Sequence, residues 1–152
     1  MRLSKSKSAA FNVSFAHRCL PRRYGIRVQL YSADFKREVQ RVIDEDGVKA
    51  IIMGNRRTDP WSADLQPFTE SSEGWPSFMR VFPILDWDYQ TVWSFLRSFE
   101  LPYCSLYDQG FTSLGEKHNS QPNPHLKVEG EPTTFKPAYA LEDGQLERLS
   151  RV

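Results

Sequence analysis

One run of the sequence combines a glycine, two arginines, a hydroxyl and a carboxylate: Gly54-Asn55-Arg56-Arg57-Thr58-Asp59-Pro60. The guanidinium groups of Arg56 and Arg57 are fork-shaped donors that match phosphate oxygens. Gly54 allows a ligand to approach the backbone closely, and Thr58 adds a hydroxyl. Asp59 adds a carboxylate of the kind that Mg²⁺ shares with substrate phosphates. The run predicts a nucleotide-phosphate site. The alternative is a surface loop whose arginines pair with nearby acids.

A second segment, Trp75 to Arg80, suits a flat ligand. The indole of Trp75, stiffened by Pro76, can stack on a planar ring, and Arg80 can contact a phosphate or the polar edge of that ring. The alternative is a loop aromatic tucked into the core.

Two further segments are weaker candidates. The run from Leu106 to Gly115 contains Tyr107, two glycines and two hydroxyls, which suits a backbone that turns tightly beside a ligand. Near the end of the chain, Arg148 and Arg151 are three residues apart, so they project from one side of a helical turn. They can close over a phosphate. The alternative is a solvated basic tail.

The first half of the sequence alternates between strand and helix patterns. Residues 26–30 alternate apolar and polar side chains, and residues 48–53 form a continuous apolar run, which predicts two strands. Between them, Ser32 or Asp34 can cap a helix that continues to about residue 45 and ends at Gly47. A strand, a helix and a strand form a βαβ unit, so the predicted class is α/β. The 54–60 run then follows a strand's carboxyl end, where open α/β sheets bind ligands.

The rest of the chain is predicted from breakers and caps. Residues 61–79 are polar and interrupted by prolines, which predicts a long functional loop. Residues 80–84 predict a short strand, and Asp86 predicts the N-cap of a helix that runs to about Phe99. The charged segment 141–152 predicts a final helical turn.

Composition excludes several classes of protein. The chain has 152 residues and a formal net charge of +1, so it has no global field that would attract nucleic acid or a membrane surface. The two cysteines are far apart in the sequence and imply no disulfide framework, so we expect a reducing compartment such as the cytoplasm. Residues 1–21 are basic and contain no acid, so we expect a disordered leader there. The alternative is a mitochondrial presequence.

Several motifs in one order resemble a known family. They are the 54–60 run, Gly74-Trp75-Pro76-Ser77-Phe78-Met79-Arg80, Pro83-Ile84-Leu85-Asp86-Trp87, the Leu106–Gly115 run, Asn123-Pro124-His125 and the closing Glu-Arg-x-x-Arg. Together, from residue 22 to residue 152, they resemble the FAD synthases of fungi and animals, within the wider PAPS reductase-like group of ATP pyrophosphatases.

The resemblance implies an FMN adenylyltransferase, which joins FMN to AMP from ATP to give FAD and pyrophosphate with Mg²⁺. It places Gly54, Arg56 and Arg57 beside phosphates. It gives Asp59 to the metal or to the flavin's ribityl and phosphate region. It also implies that Trp75 and Arg80 frame the flavin ring. The remaining implied contacts to the flavin nucleotide come from Thr58, Tyr107, Arg148 and Arg151.

The front of the sequence departs from the family pattern. Family members begin with a strand and a Ser-x-Gly-Gly-Lys-Asp type loop around the ATP phosphates, and the first glycine here is Gly25. We therefore expect a partial parallel-sheet domain that lacks its first βα unit and is impaired in catalysis. Two alternatives stay open. One is a non-catalytic flavin-binding module, and the other is a PAPS reductase relative.

Overall fold

The computed structural model describes residues 23–26, 29, 34–115, 117–131 and 133–151. Two compact units are present. We call Gln29–Asp88 the sheet unit, and Tyr89–Val152 with residues 1–28 the C-terminal unit. The predicted leader at 1–21 and most of the predicted strand at 26–30 lie outside the described residues. Within the described ranges, no helix is both long and apolar enough to cross a bilayer.

The first helix, α1, spans Phe35–Asp46 and confirms the sequence prediction. The Asp34 carboxylate accepts a hydrogen bond of 3.2 Å from the backbone N–H of Arg37, so Asp34 is the N-cap. Gly47 ends the helix in the left-handed conformation at φ +65°, and its N–H donates to the carbonyl of Ile43.

A three-stranded sheet follows, with β1 at Ala50–Ile52, β2 at Phe68–Glu70 and β3 at Met79–Val81. The strand order is β1-β3-β2. β1 pairs with β3 in parallel, which confirms the α/β class and the predicted strands near 48–53 and 80–84. β2 pairs with β3 in antiparallel fashion inside the predicted 61–79 loop. β2 has only three residues, which is too short for a recognisable alternation of apolar and polar side chains, so the sequence does not predict it.

The second helix, α2, spans Tyr89–Ser98 and begins three residues after the predicted N-cap. The prediction that Asp86 caps it is wrong. The Asp86 carboxylate instead accepts a hydrogen bond from Nε of Arg57, and residues 83–86 form a turn in which Leu85 is buried.

The core of the C-terminal unit gathers around one face of α2. Tyr89 and Trp93 are buried with Leu126, Ala138 and Leu141. The Tyr89 hydroxyl donates a hydrogen bond of 2.8 Å to the carbonyl of Ala138. Four tyrosine rings meet the Trp93 indole edge-on: Tyr89, Tyr103, Tyr107 and Tyr139. The elements that follow α2 are short 3₁₀ helices. The core of this unit is therefore held together mainly by the aromatic cluster around Trp93.

The surroundings of Gly110 predict a large stability loss on substitution. Gly110 has φ +85°, and an added Cβ would lie 2.5 Å from the Cβ of Phe135. Gly130 has φ +79° but open space around the same position, so it is the matched control. We expect Gly130→Ala to lower the free energy of unfolding by about 1 to 2 kcal/mol. Gly110→Ala should lower it by about 1 to 3 kcal/mol more. Urea unfolding followed by circular dichroism measures both, and equal losses would contradict the packing described.

The Tyr103 phenol predicts a loss of stability in alkali. Burial, followed by the hydrogen bond of 3.0 Å that its hydroxyl donates to Asp108, raises the pKa of this phenol above its usual 10.0. The unfolded chain therefore loses this proton first. The stability contributed is fully present below about pH 10 and is lost as the pH rises through the folded pKa. Tyr103→Phe should flatten the decline in the urea midpoint above pH 10, whereas Tyr24→Phe, at an exposed position, should not.

Candidate functional site

The 54–60 run leaves the sheet as a tight, internally bonded loop. The backbone N–H of Met53 donates to the carbonyl of Val81, which extends the β1–β3 pairing by one residue. The N–H of Asp59 donates to the carbonyl of Arg56 at 2.9 Å, and the N–H of Arg56 donates to Oδ2 of Asp59 at 2.8 Å. The loop therefore lies at the carboxyl end of β1, as expected, and closes on itself through Arg56 and Asp59.

The Arg56–Asp59 pair is also an ion pair. Nη2 of Arg56 lies 3.5 Å from Oδ1 of Asp59, and their side chains are only 10% and 18% exposed. Both Asp59 oxygens thus face Arg56 groups. Each carboxylate oxygen has more than one lone pair, so it can accept a further donor or a cation beside Arg56, and the role of Asp59 at a metal stays a prediction. The described residues contain no cluster of three or more His, Cys, Asp or Glu that could hold a metal by themselves.

Arg57 and Arg80 are held by backbone carbonyls. The Nη1 atom of Arg57 donates to the carbonyls of Ala63 and Leu65 at 3.1 and 2.8 Å, while its Nε donates to Asp86. Nε and Nη2 of Arg80 both donate to the carbonyl of Glu70, at 3.1 and 2.8 Å. Both guanidinium groups therefore fasten one segment of the sheet unit to another. Their contacts to a ligand stay a prediction.

Gly54 and Thr58 form the open side of the loop. Both residues are exposed. A Cβ built on Gly54 would meet no atom within 4 Å. The backbone at this position is therefore accessible to a ligand, although no close contact within the protein requires a glycine there.

Trp75 lies beside a groove of about 420 Å³ in the sheet unit, within the size range of small-molecule sites. One wall is Gly74-Trp75-Pro76, and the other is the first turns of α1. The indole is 41% exposed and meets the Phe35 ring edge-on at a centroid distance of 5.8 Å. The N–H of Trp75 donates to the carbonyl of Ser72, which fixes the turn. A planar ring can lie against this indole.

The α1 wall of the groove holds four polar or charged residues that were not predicted to contact a ligand: Asp34, Lys36, Arg37 and Gln40. The helical spacing carries a signal for Lys36, which has no acid three or four residues away on either side. Arg37 has Asp34 three residues before it, and the Asp34 carboxylate accepts a hydrogen bond from the backbone N–H of Arg37.

The remaining predicted site residues, Tyr107, Arg148 and Arg151, belong to the C-terminal unit. The Tyr107 ring packs edge-on against Trp93 at 5.4 Å. Arg148 lies in a 3₁₀ helix, Gly144–Ser150, which confirms the predicted final helical turn. Arg151 follows it, and its Nη2 donates to the carbonyl of Leu114 at 2.7 Å. The structure thus brings Arg151 to the Leu106–Gly115 run.

A buried polar network anchors this C-terminal 3₁₀ helix. Thr112, Asn123 and Ser150 are at most 2% exposed. The Thr112 hydroxyl donates to the carbonyl of Glu147 at 2.6 Å and accepts from Nδ2 of Asn123 at 2.9 Å. Since the only Thr112 hydroxyl proton is used, the 3.0 Å contact with Ser150 must have the Ser150 hydroxyl as donor. Each buried group is satisfied, so the network fixes the turn that carries Arg148.

Comparison with known proteins identifies the domain. The family model described as "Phosphoadenosine phosphosulfate reductase domain" matches residues 21–122. A "Probable FAD synthase" of Schizosaccharomyces pombe is 47% identical over 104 residues, which cover 68% of this chain and 38% of that protein. The "Flavin adenine dinucleotide synthase" of Saccharomyces cerevisiae is 44% identical over 95 residues, covering 62% of this chain and 30% of that protein.

A solved structure agrees. The chain resembles Candida glabrata FMN adenylyltransferase, solved in complex with FMN and the ATP analogue AMPCPP, with a TM-score of 0.72 and 27% identity. The likeness covers 80% of this chain and 55% of that one. The chain thus spans well under two thirds of the length of each of these relatives.

The Arg56–Asp59 pair predicts a specific pattern of stability. Asp59→Ala should lower the free energy of unfolding by about 3 kcal/mol, because it leaves a buried guanidinium without its carboxylate. Asp59→Asn should cost less, since an amide oxygen can still accept from the Arg56 N–H. The exposed Asp64 is the control, and Asp64→Ala should change stability by less than about 0.5 kcal/mol. Urea unfolding measures all three. An Asp59→Ala variant as stable as Asp64→Ala would show that the pair holds nothing in place.

Proposed function

The chain belongs to the phosphoadenosine phosphosulfate reductase domain family, and on that premise we propose that it is the flavin-binding part of an FMN adenylyltransferase, or FAD synthase. The observation that carries this proposal is the 47% identity to a probable FAD synthase across a segment that contains both the 54–60 run and Trp75. The Trp75 groove supports it independently, because it offers an exposed indole in a groove large enough for a fused-ring ligand.

The proposed reaction transfers AMP from ATP to FMN. A phosphate oxygen of FMN attacks the α-phosphorus of ATP, the bond from that phosphorus to the bridging oxygen breaks, and pyrophosphate leaves with the electron pair. Such a step depends on positioning and on neutralising charge. The internally held Arg56 and Arg57 would present fixed positive charge beside the phosphates, and Asp59 would set their geometry. The family resemblance also makes Tyr107, Arg148 and Arg151 candidates for contacts to a flavin nucleotide.

Magnesium enters this proposal as a companion of ATP. Mg²⁺ commonly binds through substrate phosphates together with one or two carboxylates, and it retains several waters. We infer that the metal arrives on the nucleotide phosphates. Asp59, whose oxygens can each accept a further contact beside Arg56, is its candidate protein ligand.

Catalysis by these residues alone should be weak. No two glycines are adjacent in the 152 residues, so the sequence contains no Gly-Gly-Lys-Asp loop to hold the ATP phosphates. A second candidate function is a flavin-binding module without turnover, which the Trp75 groove supports equally. Cys104 is free but buried, which does not suit the reactive cysteine that a PAPS reductase would need.

The compartment we propose is the cytoplasm. The two cysteines imply no disulfide framework, which suits a reducing environment. The mitochondrion is the alternative, because the basic leader at 1–21 contains no acid.

A binding and turnover assay tests the proposal. We expect the chain to bind FMN, detected by quenching of flavin fluorescence, and to form negligible FAD when incubated with FMN, ATP and Mg²⁺ and followed by chromatography. Trp75→Ala should weaken FMN binding by about tenfold or more, as expected for the loss of a stacking aromatic. Trp61→Ala is the control, because Trp61 is 98% exposed and lies outside the groove.

Each outcome of that assay has a separate meaning. Equal loss in the two tryptophan variants, or no FMN binding at all, would contradict the flavin site. Robust FAD formation would contradict the requirement for a Gly-Gly-Lys-Asp loop. Thioredoxin-dependent release of sulfite from PAPS would favour the reductase instead.

A further inference from the structure

Most arginines of the sheet unit are already committed to partners within it. Arg56 pairs with Asp59, and Arg57 binds Asp86 and two carbonyls. Arg80 binds the carbonyl of Glu70, and Arg41 bridges Glu38 and Glu45. A ligand phosphate would have to compete with these internal contacts for the same donors.

Lys36 and Arg37 differ from these arginines. Across the described ranges, neither side chain makes a hydrogen bond or an ion pair with another residue. Both residues are exposed, and both line the groove that contains Trp75. Asp34 also lies on this wall, and one of its carboxylate oxygens accepts a hydrogen bond from the backbone N–H of Arg37. The groove therefore combines two uncommitted cations with an exposed indole.

This combination matches the two parts of a flavin mononucleotide. Its fused ring is planar and apolar, which suits an aromatic face, and its phosphate is an anion that accepts charge-assisted hydrogen bonds. In the ligand, a ribityl chain joins the fused ring to the phosphate. Gln40, whose side chain is an amide, lines the same wall of the groove as Lys36 and Arg37. A neutral ring without phosphate would use only the Trp75 side of the groove.

We propose that Lys36 and Arg37 form an anion subsite in the Trp75 groove, which recognises the phosphate of a flavin nucleotide and so selects FMN over riboflavin. The proposal rests on the proposed function, since it takes the Trp75 groove as the flavin site. It adds two residues and a basis for selectivity: the ring supplies affinity common to all flavins, and the two cations supply the preference for the phosphorylated form.

The test compares FMN with riboflavin on the full chain. Dissociation constants are measured by fluorescence quenching at low ionic strength for wild type and for the double variant Lys36→Ala/Arg37→Ala. Wild type should prefer FMN by about tenfold, as expected for two exposed charge-assisted contacts, and the preference should shrink as salt is raised. The double variant should bind riboflavin as wild type does and should lose most of the preference for FMN.

Two control variants separate this subsite from general charge and from folding. Lys49→Ala/Lys127→Ala removes the same net charge at exposed positions outside the groove and should keep the FMN preference. Lys36→Arg/Arg37→Lys keeps both charges in place and should also keep it. Circular dichroism of each variant checks that its fold is retained.

The outcomes distinguish the two proposals. If wild type binds riboflavin and FMN equally, or the Lys36/Arg37 double alanine variant keeps the FMN preference, the subsite is wrong while flavin binding at Trp75 stands. If wild type binds neither flavin, both the flavin site and the subsite are overturned.

Discussion

The reciprocal bonding of Arg56 and Asp59 is the constraint on which the geometry of the sheet unit depends. The Arg56 amide and guanidinium both reach the Asp59 carboxylate, and the Asp59 amide returns a bond to the Arg56 carbonyl. This turns a polar segment into a closed loop at the end of β1. Because the loop is closed, Arg57 is presented to the 63–65 backbone and to Asp86. The loop is thereby held in one shape before any ligand arrives, while its arginine donors are occupied by Asp59, Asp86 and backbone carbonyls.

The structure also separates the roles of the positive charges. The arginines that stand out in the sequence maintain the fold of the sheet unit. Beside Trp75, the side chains of Lys36 and Arg37 have no hydrogen-bond or ion-pair partner among the residues that the structure describes. In the C-terminal unit, the buried hydrogen bonds of Thr112, Asn123 and Ser150 hold the last 3₁₀ helix in place. Each unit therefore fixes its own candidate ligand residues by local bonding.

The sequence predicts those parts of the fold that local rules govern. Helix α1 follows from the cap at Asp34, the stop at Gly47 and the apolar spacing between them, and β1 follows from a continuous apolar run. The prediction that Asp86 caps α2 is wrong because its carboxylate accepts a hydrogen bond from Arg57, which is distant in the sequence. Local sequence patterns cannot show such a tertiary contact. Strand β2 is missed because pairing with β3, which is a tertiary contact, creates it. The Trp75 groove is missed for the same reason, since its walls are about 35 residues apart in the chain.

The central claim is that a flavin lies in the groove between Trp75 and the start of α1. The most direct measurement is an NMR titration of the ¹⁵N-labelled chain with FMN. We expect the largest shifts at the Trp75 indole N–H and at the backbone amides of residues 35–37 and 74–75. Shifts centred instead on the Trp93 cluster, with the Trp75 signals unchanged, would contradict this claim.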